Sequence, residues 1–135
     1  MRDHQATEVD AGRVARAFIE AVFAGDLGTA CAYSSPELLL RIEGQDTVEG
    51  HAGLREIMDL SAEVCTDLDM RIHHVLSAGE TAAINRTTRV TVNGKRLTVE
   101  VGAFFTVRDG LVCEWTEYQL SLIHISEPTR PRLIS

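Results

Sequence analysis

Apolar side chains recur at helical spacing near the start of the chain and at alternate positions in its second half. The helical stretch includes Val14, Phe18 and Val22, and it predicts an amphipathic helix that begins at an Asp10 cap and stops at Gly25. A short helix capped at residue 26 and a third helix opened at residue 50 are also expected, with one strand at 37–43 between them.

The second half of the chain predicts strands, because its apolar residues alternate with polar ones. Three long strands are expected near 67–77, 80–92 and 95–108, and a shorter one from residue 111. Asn93-Gly94 and Asp109-Gly110 mark hairpin turns, since these residues tolerate positive φ. The predicted fold class is α+β: a cone-shaped roll with three N-terminal helices packed in the concave face of a strongly curved, mostly antiparallel sheet.

Two charged residues interrupt the apolar faces of these strands. Arg86 lies on the predicted inner face of the strand near 80–92, and Glu117 lies on the face that Cys113 and Trp115 share. Burying an unpaired charge is costly, so both side chains are expected to point into one partly hydrated cavity with apolar walls. That cavity is the predicted functional site.

The composition excludes several classes of function. A chain of 135 residues with 44% hydrophobic content is expected to form one domain. The net charge of −7 disfavours nucleic acid and anionic lipid as partners. The sequence has no apolar run that could span a bilayer and no apolar signal region, so we expect a cytoplasmic protein without a membrane partner. The spacing of the three cysteines suggests neither disulfides nor a zinc site, and we expect no metal or cofactor.

The last sixteen residues, LSLIHISEPTRPRLIS, resemble the in-frame translation of a transposase-type sequencing adapter. We therefore assign 1–119 to a single domain and expect 120–135 to be a non-native tail without functional information. The alternative is a natural C-terminal strand and tail. Leu120 and Leu122 alternate with Ser121, so this segment can still extend the last strand.

Several short motifs follow one another in the first half of the chain: Phe18-Ile19-Glu20-Ala21, Ala24-Gly25-Asp26-Leu27, Val48-Glu49-Gly50 and Leu54-Arg55-Glu56. Their order resembles the nuclear transport factor two-like superfamily, and the resemblance spans residues 12–119. Three further segments lie in the strand region: Arg86-Thr87-Thr88, Arg108-Asp109-Gly110-Leu111-Val112 and Trp115-Thr116-Glu117-Tyr118. These are most similar to limonene-epoxide hydrolases and SnoaL-like polyketide cyclases.

The resemblance implies catalytic positions for Arg86, Thr88 and Glu117. In the epoxide hydrolases an arginine and an acid two residues later share a strand, and a second acid on the last strand activates water. Arg86 and Glu117 match by position, but Thr88 stands where the family has the first acid. Threonine cannot protonate an epoxide oxygen as a carboxylic acid can. The positions that carry the chemistry of ketosteroid isomerases hold unsuitable residues here, so that reaction is not expected.

Chemical roles follow from the residue types. Glu117 is the candidate general base, Arg86 its orienting partner, and Thr88 a weak hydrogen-bond donor on the same face. The candidate walls of the ligand site are apolar: Phe18, Leu40, Ile42, Ala103, Phe105 and Trp115.

The leading hypothesis is a cofactor-independent acid–base enzyme that acts on a small apolar molecule, either by epoxide hydrolase-like water addition or by cyclase- or isomerase-like proton transfer. One alternative is a non-catalytic module that binds a small molecule, and another is a scaffold that uses its outer sheet face. Arg86 and Glu117 would then form a purely structural ion pair. The resemblance also implies a homodimer through the outer sheet face.

Overall fold

The computed structural model describes residues 10–124, with side chains described for residues 10–120. In chain order the elements are α1 (Ala11–Phe23), α2 (Leu27–Ala32), β1 (Ser34–Ile42), β2 (Val48–Glu49), α3 (Gly50–Val64), β3 (Cys65–Ala78), β4 (Thr81–Val92), β5 (Lys95–Arg108) and β6 (Leu111–His124). The strands form one six-stranded sheet in the order β2-β1-β6-β5-β4-β3. All neighbours are antiparallel except β1 and β6, which are parallel. The predicted α+β architecture is confirmed.

The first helix begins and ends where the sequence predicts. The Asp10 carboxylate caps α1 by accepting from the backbone N–H of Gly12 at 3.0 Å, and the Ser77 hydroxyl of β3 donates to the same oxygen at 2.6 Å. The Ser77 hydroxyl, and after it the Gly12 N–H, lower the pKa of Asp10 because both stabilise the carboxylate. Beyond the helix, Gly25 adopts a φ of +77°, which glycine tolerates without strain. These contacts fix the start of α1 to β3.

The core lies between α1 and the sheet, because α1 packs against β3, β4, β5 and β6. Phe18 is fully buried, and its ring meets those of Trp115 and Phe105 edge-on at centroid distances of 5.2 and 6.4 Å. Leu54 of α3 closes the same cluster and is 1% exposed. Burying each such side chain contributes roughly 1.5–3 kcal/mol, so this cluster anchors the helices to the sheet.

Register shifts in β1, β3 and β6 allow the sheet to bend, and those in β3 and β6 are single-residue bulges. β3 carries extra residues at two points, between residues 66 and 69 and at residue 73, and β6 carries extra residues at 113 and 120. A bulge adds an unpaired residue and increases the local twist. Because two of these bulges lie in β3 at one edge and two lie in β6 nearer the middle, the sheet can curl around the helices and leave space at its open end.

One of these bulges corrects a prediction about β6. The sequence predicts Cys113 on the inner face, but Val112 takes the inner position there, opposite Val107, and is fully buried. Cys113 is the extra residue and is only partly buried. The bulge resets the alternation, so that Trp115 and Glu117 keep their predicted face.

Two predicted element bounds are also wrong. The first strand begins at Ser34 rather than at residue 37, and β6 spans 14 residues rather than being shorter than its neighbours. The backbone of residues 120–124 continues β6, as the alternation of that segment allows. Residues 125–135, the rest of the predicted tail, lie outside the described residues, and the adapter origin of the segment stays a prediction.

Candidate functional site

A cavity of about 560 Å³ lies among the end of α1, the middle of α3 and the inner faces of β4, β5 and β6. This volume is within the range of small-molecule sites. Most of the lining side chains are aliphatic or aromatic, and the ionisable ones are Glu43, Cys65, Arg86 and Glu117. Arg86 and Glu117 therefore face a partly open space that a small ligand can enter.

Arg86 and Glu117 converge from β4 and β6, which are separated by β5. The Arg86 Nη1 atom lies 2.8 Å from Glu117 Oε2, and the two side chains are 3% and 13% exposed. A charge pair at this distance and burial is poorly screened by solvent. The sequence predicts that the side chains of Arg86 and Glu117 point into the same cavity, and this geometry agrees with that prediction.

The arginine is held by three different groups. Besides the ion pair, Arg86 Nε donates to Thr88 Oγ1 at 3.4 Å, which is a long bond, and the guanidinium carbon lies 4.6 Å from the centre of the Phe23 ring. Within residues 10–120, Nη1 has no acceptor that is aligned with its N–H bonds, although it is close to Glu117. The contact with Glu117 is thus an ion pair without a well-directed hydrogen bond, and the guanidinium retains donor capacity.

The carboxylate of Glu117 is oriented through one of its oxygens. Trp115 Nε1 donates to Oε2 at 3.0 Å, the same oxygen that faces Arg86. The Trp115 ring is itself fixed by stacking on Phe105, with centroids 6.2 Å apart and an interplanar angle of 14°. No group of the described part of the chain donates to Oε1. Glu117 therefore presents a fixed carboxylate with one oxygen available for chemistry.

The predicted site residues divide between the cavity and the core. The three candidates for chemistry, Arg86, Thr88 and Glu117, all line the cavity. Of the predicted walls, Ile42 and Trp115 also line it. The other four are at most 1% exposed and belong to the packed core instead of the cavity lining: Phe18, Leu40, Ala103 and Phe105.

Several residues that line the cavity are not predicted as its walls from the sequence. Phe23 and Met58 come from helices, and Leu68 and Val99 from strands. Their apolar character marks them as inward-facing but does not distinguish a cavity wall from a filled core. For Phe23 a signal was available, because it stands at the end of α1 just before Gly25, where the helix stops and leaves space.

The described residues show neither a candidate metal site nor a helix that could span a membrane. Residues 10–120 contain no group of three or more His, Cys, Asp or Glu side chains placed to hold a metal ion. None of the described helices is long and apolar enough to cross a membrane.

The fold and the cavity define the class of the protein: three helices that pack on a curved sheet with a pocket at its open end, the cone shape of NTF2-like proteins. An LEH-like epoxide hydrolase from M. tuberculosis shares this fold at 22% identity and a TM-score of 0.70, over 81% of each chain. A proposed SnoaL-like polyketide cyclase from Jannaschia sp. CCS1 is 13% identical with a TM-score of 0.76, over 84% of this chain and 88% of that one.

A third solved structure, an NTF2-like protein of unknown function from Burkholderia pseudomallei, is 17% identical with a TM-score of 0.75, over 83% of this chain and 92% of that one. Identities this low establish the fold alone. The model of the SnoaL-like domain family matches residues 15–115. The chain therefore belongs to the SnoaL-like family, which confirms the predicted resemblance. Among curated proteins, none matches this chain.

Proposed function

We propose that this protein is a cofactor-independent acid–base enzyme that moves a proton on a small, mostly apolar carbonyl compound, in the manner of a cyclase or isomerase. One observation carries the proposal: a carboxylate fixed by Trp115 and a buried guanidinium meet at 2.8 Å on the wall of a cavity with mostly apolar lining. Membership of the SnoaL-like family, and a fold shared with a proposed polyketide cyclase, support the same class of reaction.

The proposed step begins with a carbon–hydrogen bond beside the carbonyl group. Glu117 takes the proton, and the electron pair of that bond moves onto the substrate as an enolate. Arg86 stabilises the negative charge on the enolate oxygen, assisted by the Thr88 hydroxyl. The enolate then attacks a second carbonyl carbon or is reprotonated at another carbon, and Glu117 returns its proton. No external oxidant or reductant is needed.

Water addition to an epoxide is less compatible with these residues. Opening the ring requires a proton for the leaving oxygen, and Thr88 is a poor acid. Glu43 is the other carboxylate among the described lining residues, and its Oε1 already accepts from the backbone N–H of Gln119 at 2.9 Å. An enolate needs only a stabilised oxygen, which Arg86 can supply without giving up a proton.

Deuterium exchange tests the proposed reaction directly. We expect the protein in D₂O to accelerate the loss of the proton signal beside the carbonyl in at least one compound of a panel of cyclic ketones and 1,3-diketones, followed by NMR. Opening of a terpene epoxide without any ketone exchange would contradict the proposal. Ketones that raise the melting temperature but exchange only at the buffer rate would indicate a binding module instead.

We also propose a homodimer through the outer sheet face, where large apolar side chains are exposed. Leu76, Phe104 and Tyr118 are 66%, 48% and 47% exposed, and the Phe104 and Tyr118 rings touch edge-on at 6.1 Å. The face carries both charge signs, Arg89 on β4 and Glu100 on β5, so two copies related by a twofold axis can pair opposite charges.

The dimer is tested by light scattering on the purified protein. We expect twice the mass of the chain for the wild type and the single mass for Phe104→Asp, because a charge in the middle of the apolar face opposes association. A monomeric wild type at micromolar concentration would contradict the prediction.

A further inference from the structure

The charged groups around the cavity leave no uncompensated positive charge for a ligand. Arg86 is the single cationic side chain among the described lining residues, which also include two carboxylates, Glu117 and Glu43. Glu117 is within 2.8 Å of the guanidinium, and the Phe23 ring covers the guanidinium at 4.6 Å. The arginine is therefore neutralised by the protein itself, in a chain whose net charge is −7.

The same arginine still has hydrogen-bonding capacity. Its Nη1 lies against Glu117 Oε2 at 2.8 Å, and its one other polar contact in the described part of the chain is the long bond from Nε to Thr88 at 3.4 Å. A guanidinium group has five N–H donors, so a ligand oxygen in the cavity that Arg86 lines can accept from those that remain. What the site lacks is an acceptor and not a negative charge.

Neutral and anionic ligand oxygens meet different environments here. A ketone oxygen accepts from the guanidinium and adds no charge. A carboxylate at the same place lies beside Glu117, so that two anions share one cation in a cavity with apolar walls, where repulsion is poorly screened. Arg86 alone would attract an acid, but Arg86 paired with Glu117 would not.

We infer that this cavity takes neutral molecules with a carbonyl-type oxygen and rejects carboxylates of the same skeleton, and that Glu117 is the residue that sets this preference. The inference rests on the site described under the proposed function and names its ligand class. It concerns binding, so it does not require turnover. Glu117 thereby has a second role, as a specificity determinant.

The test uses a matched pair of probes, 2-undecanone and decanoate, in which a methyl group replaces one carboxylate oxygen. Trp115 lines the cavity and is the one tryptophan in the sequence, so its fluorescence reports binding. We expect the wild type to bind the ketone at least about tenfold more tightly than decanoate. The reason is that the carboxylate of decanoate is repelled by Glu117 when both anions share the single cation Arg86.

Glu117→Gln is expected to reverse the preference, because it removes the competing anion and leaves the charge of Arg86 free. The affinity for decanoate should then rise by about tenfold or more, as for a newly unpaired buried guanidinium. Glu114→Gln is the matched control: Glu114 is on the same strand but 44% exposed, and it faces Arg41 at 3.7 Å. That variant should leave both affinities unchanged.

Several outcomes overturn the inference: tighter or equal binding of decanoate by the wild type, no binding of the ketone, or an unchanged ratio in a folded Glu117→Gln protein. If Glu117→Gln does not fold, Glu117→Ala removes the same negative charge and is measured with the same two probes. Selective binding without deuterium exchange would remove the proposed reaction and leave the inference intact. Deuterium exchange on a ketone without any selectivity against carboxylates would support the proposed reaction and overturn the inference about ligand class.

Discussion

Replacing Glu117 with glutamine is expected to slow the catalysed exchange of the proton beside the carbonyl by roughly 10²- to 10⁴-fold, the usual contribution of a positioned general base. Glutamine has nearly the same shape, and its amide oxygen can still accept from Trp115 Nε1, which lies 3.0 Å from Oε2 in the wild type. It cannot take up a proton. The measurement is the NMR exchange rate in D₂O at saturating ketone.

Glu114→Gln provides the control for this variant, since it makes the same chemical change on the same strand. Glu114 and Arg41 form an exposed pair at 3.7 Å with side chains 44% and 46% exposed. Such pairs contribute little, so we expect the exchange rate to stay within about twofold of the wild type. An unchanged rate in a folded Glu117→Gln protein would remove Glu117 from the mechanism.

Local chemistry explains why much of the fold could be predicted from the sequence. Asn93 and Asp109 adopt φ values of +51° and +54°, and the glycines that follow them are also positive. These residues need no distant contact to favour a tight turn, so the hairpins are encoded where they occur. The convergence of Arg86 and Glu117 was predictable for a different reason: two charges on apolar faces must compensate each other or be hydrated.

Features set by pairing between distant segments could not be predicted in the same way. The bulge that puts Val112 rather than Cys113 inside depends on how β6 aligns with β5, and a one-residue shift changes the face of every side chain. Nor does alternation separate Phe18, which is fully buried in the core, from Phe23, which lines the cavity. The pattern shows that a side chain points inward, but the space in front of it depends on the whole fold.

The buried ion pair also makes a strong prediction for stability. Arg86→Met removes the cation and leaves Glu117, which is 13% exposed, without its partner. We expect a loss of about 3 kcal/mol in the free energy of unfolding, the low end of the range for breaking a buried pair, because water in the cavity can partly hydrate the carboxylate. Urea unfolding with linear extrapolation measures this difference.

Arg108→Met is the matched control for that measurement. Arg108 and Glu80 form a pair at a similar distance, 3.2 Å, but their side chains are 63% and 62% exposed. The Glu80 contact raises the pKa of Arg108, yet exposed pairs are screened by solvent. We therefore expect a clearly smaller loss of stability than in Arg86→Met. Equal losses in the two variants would show that burial does not strengthen the Arg86–Glu117 pair.

The double variant Arg86→Met/Glu117→Leu separates a structural pair from a functional one. Well-packed apolar residues often equal or exceed a buried ion pair in stability, because neither charge then has to be desolvated. We therefore expect the double variant to recover most of the roughly 3 kcal/mol lost in Arg86→Met while losing both deuterium exchange and ketone binding. A double variant that stays as unstable as the single one would mean that the pair is required by the fold, and the argument that it is kept for chemistry would fail.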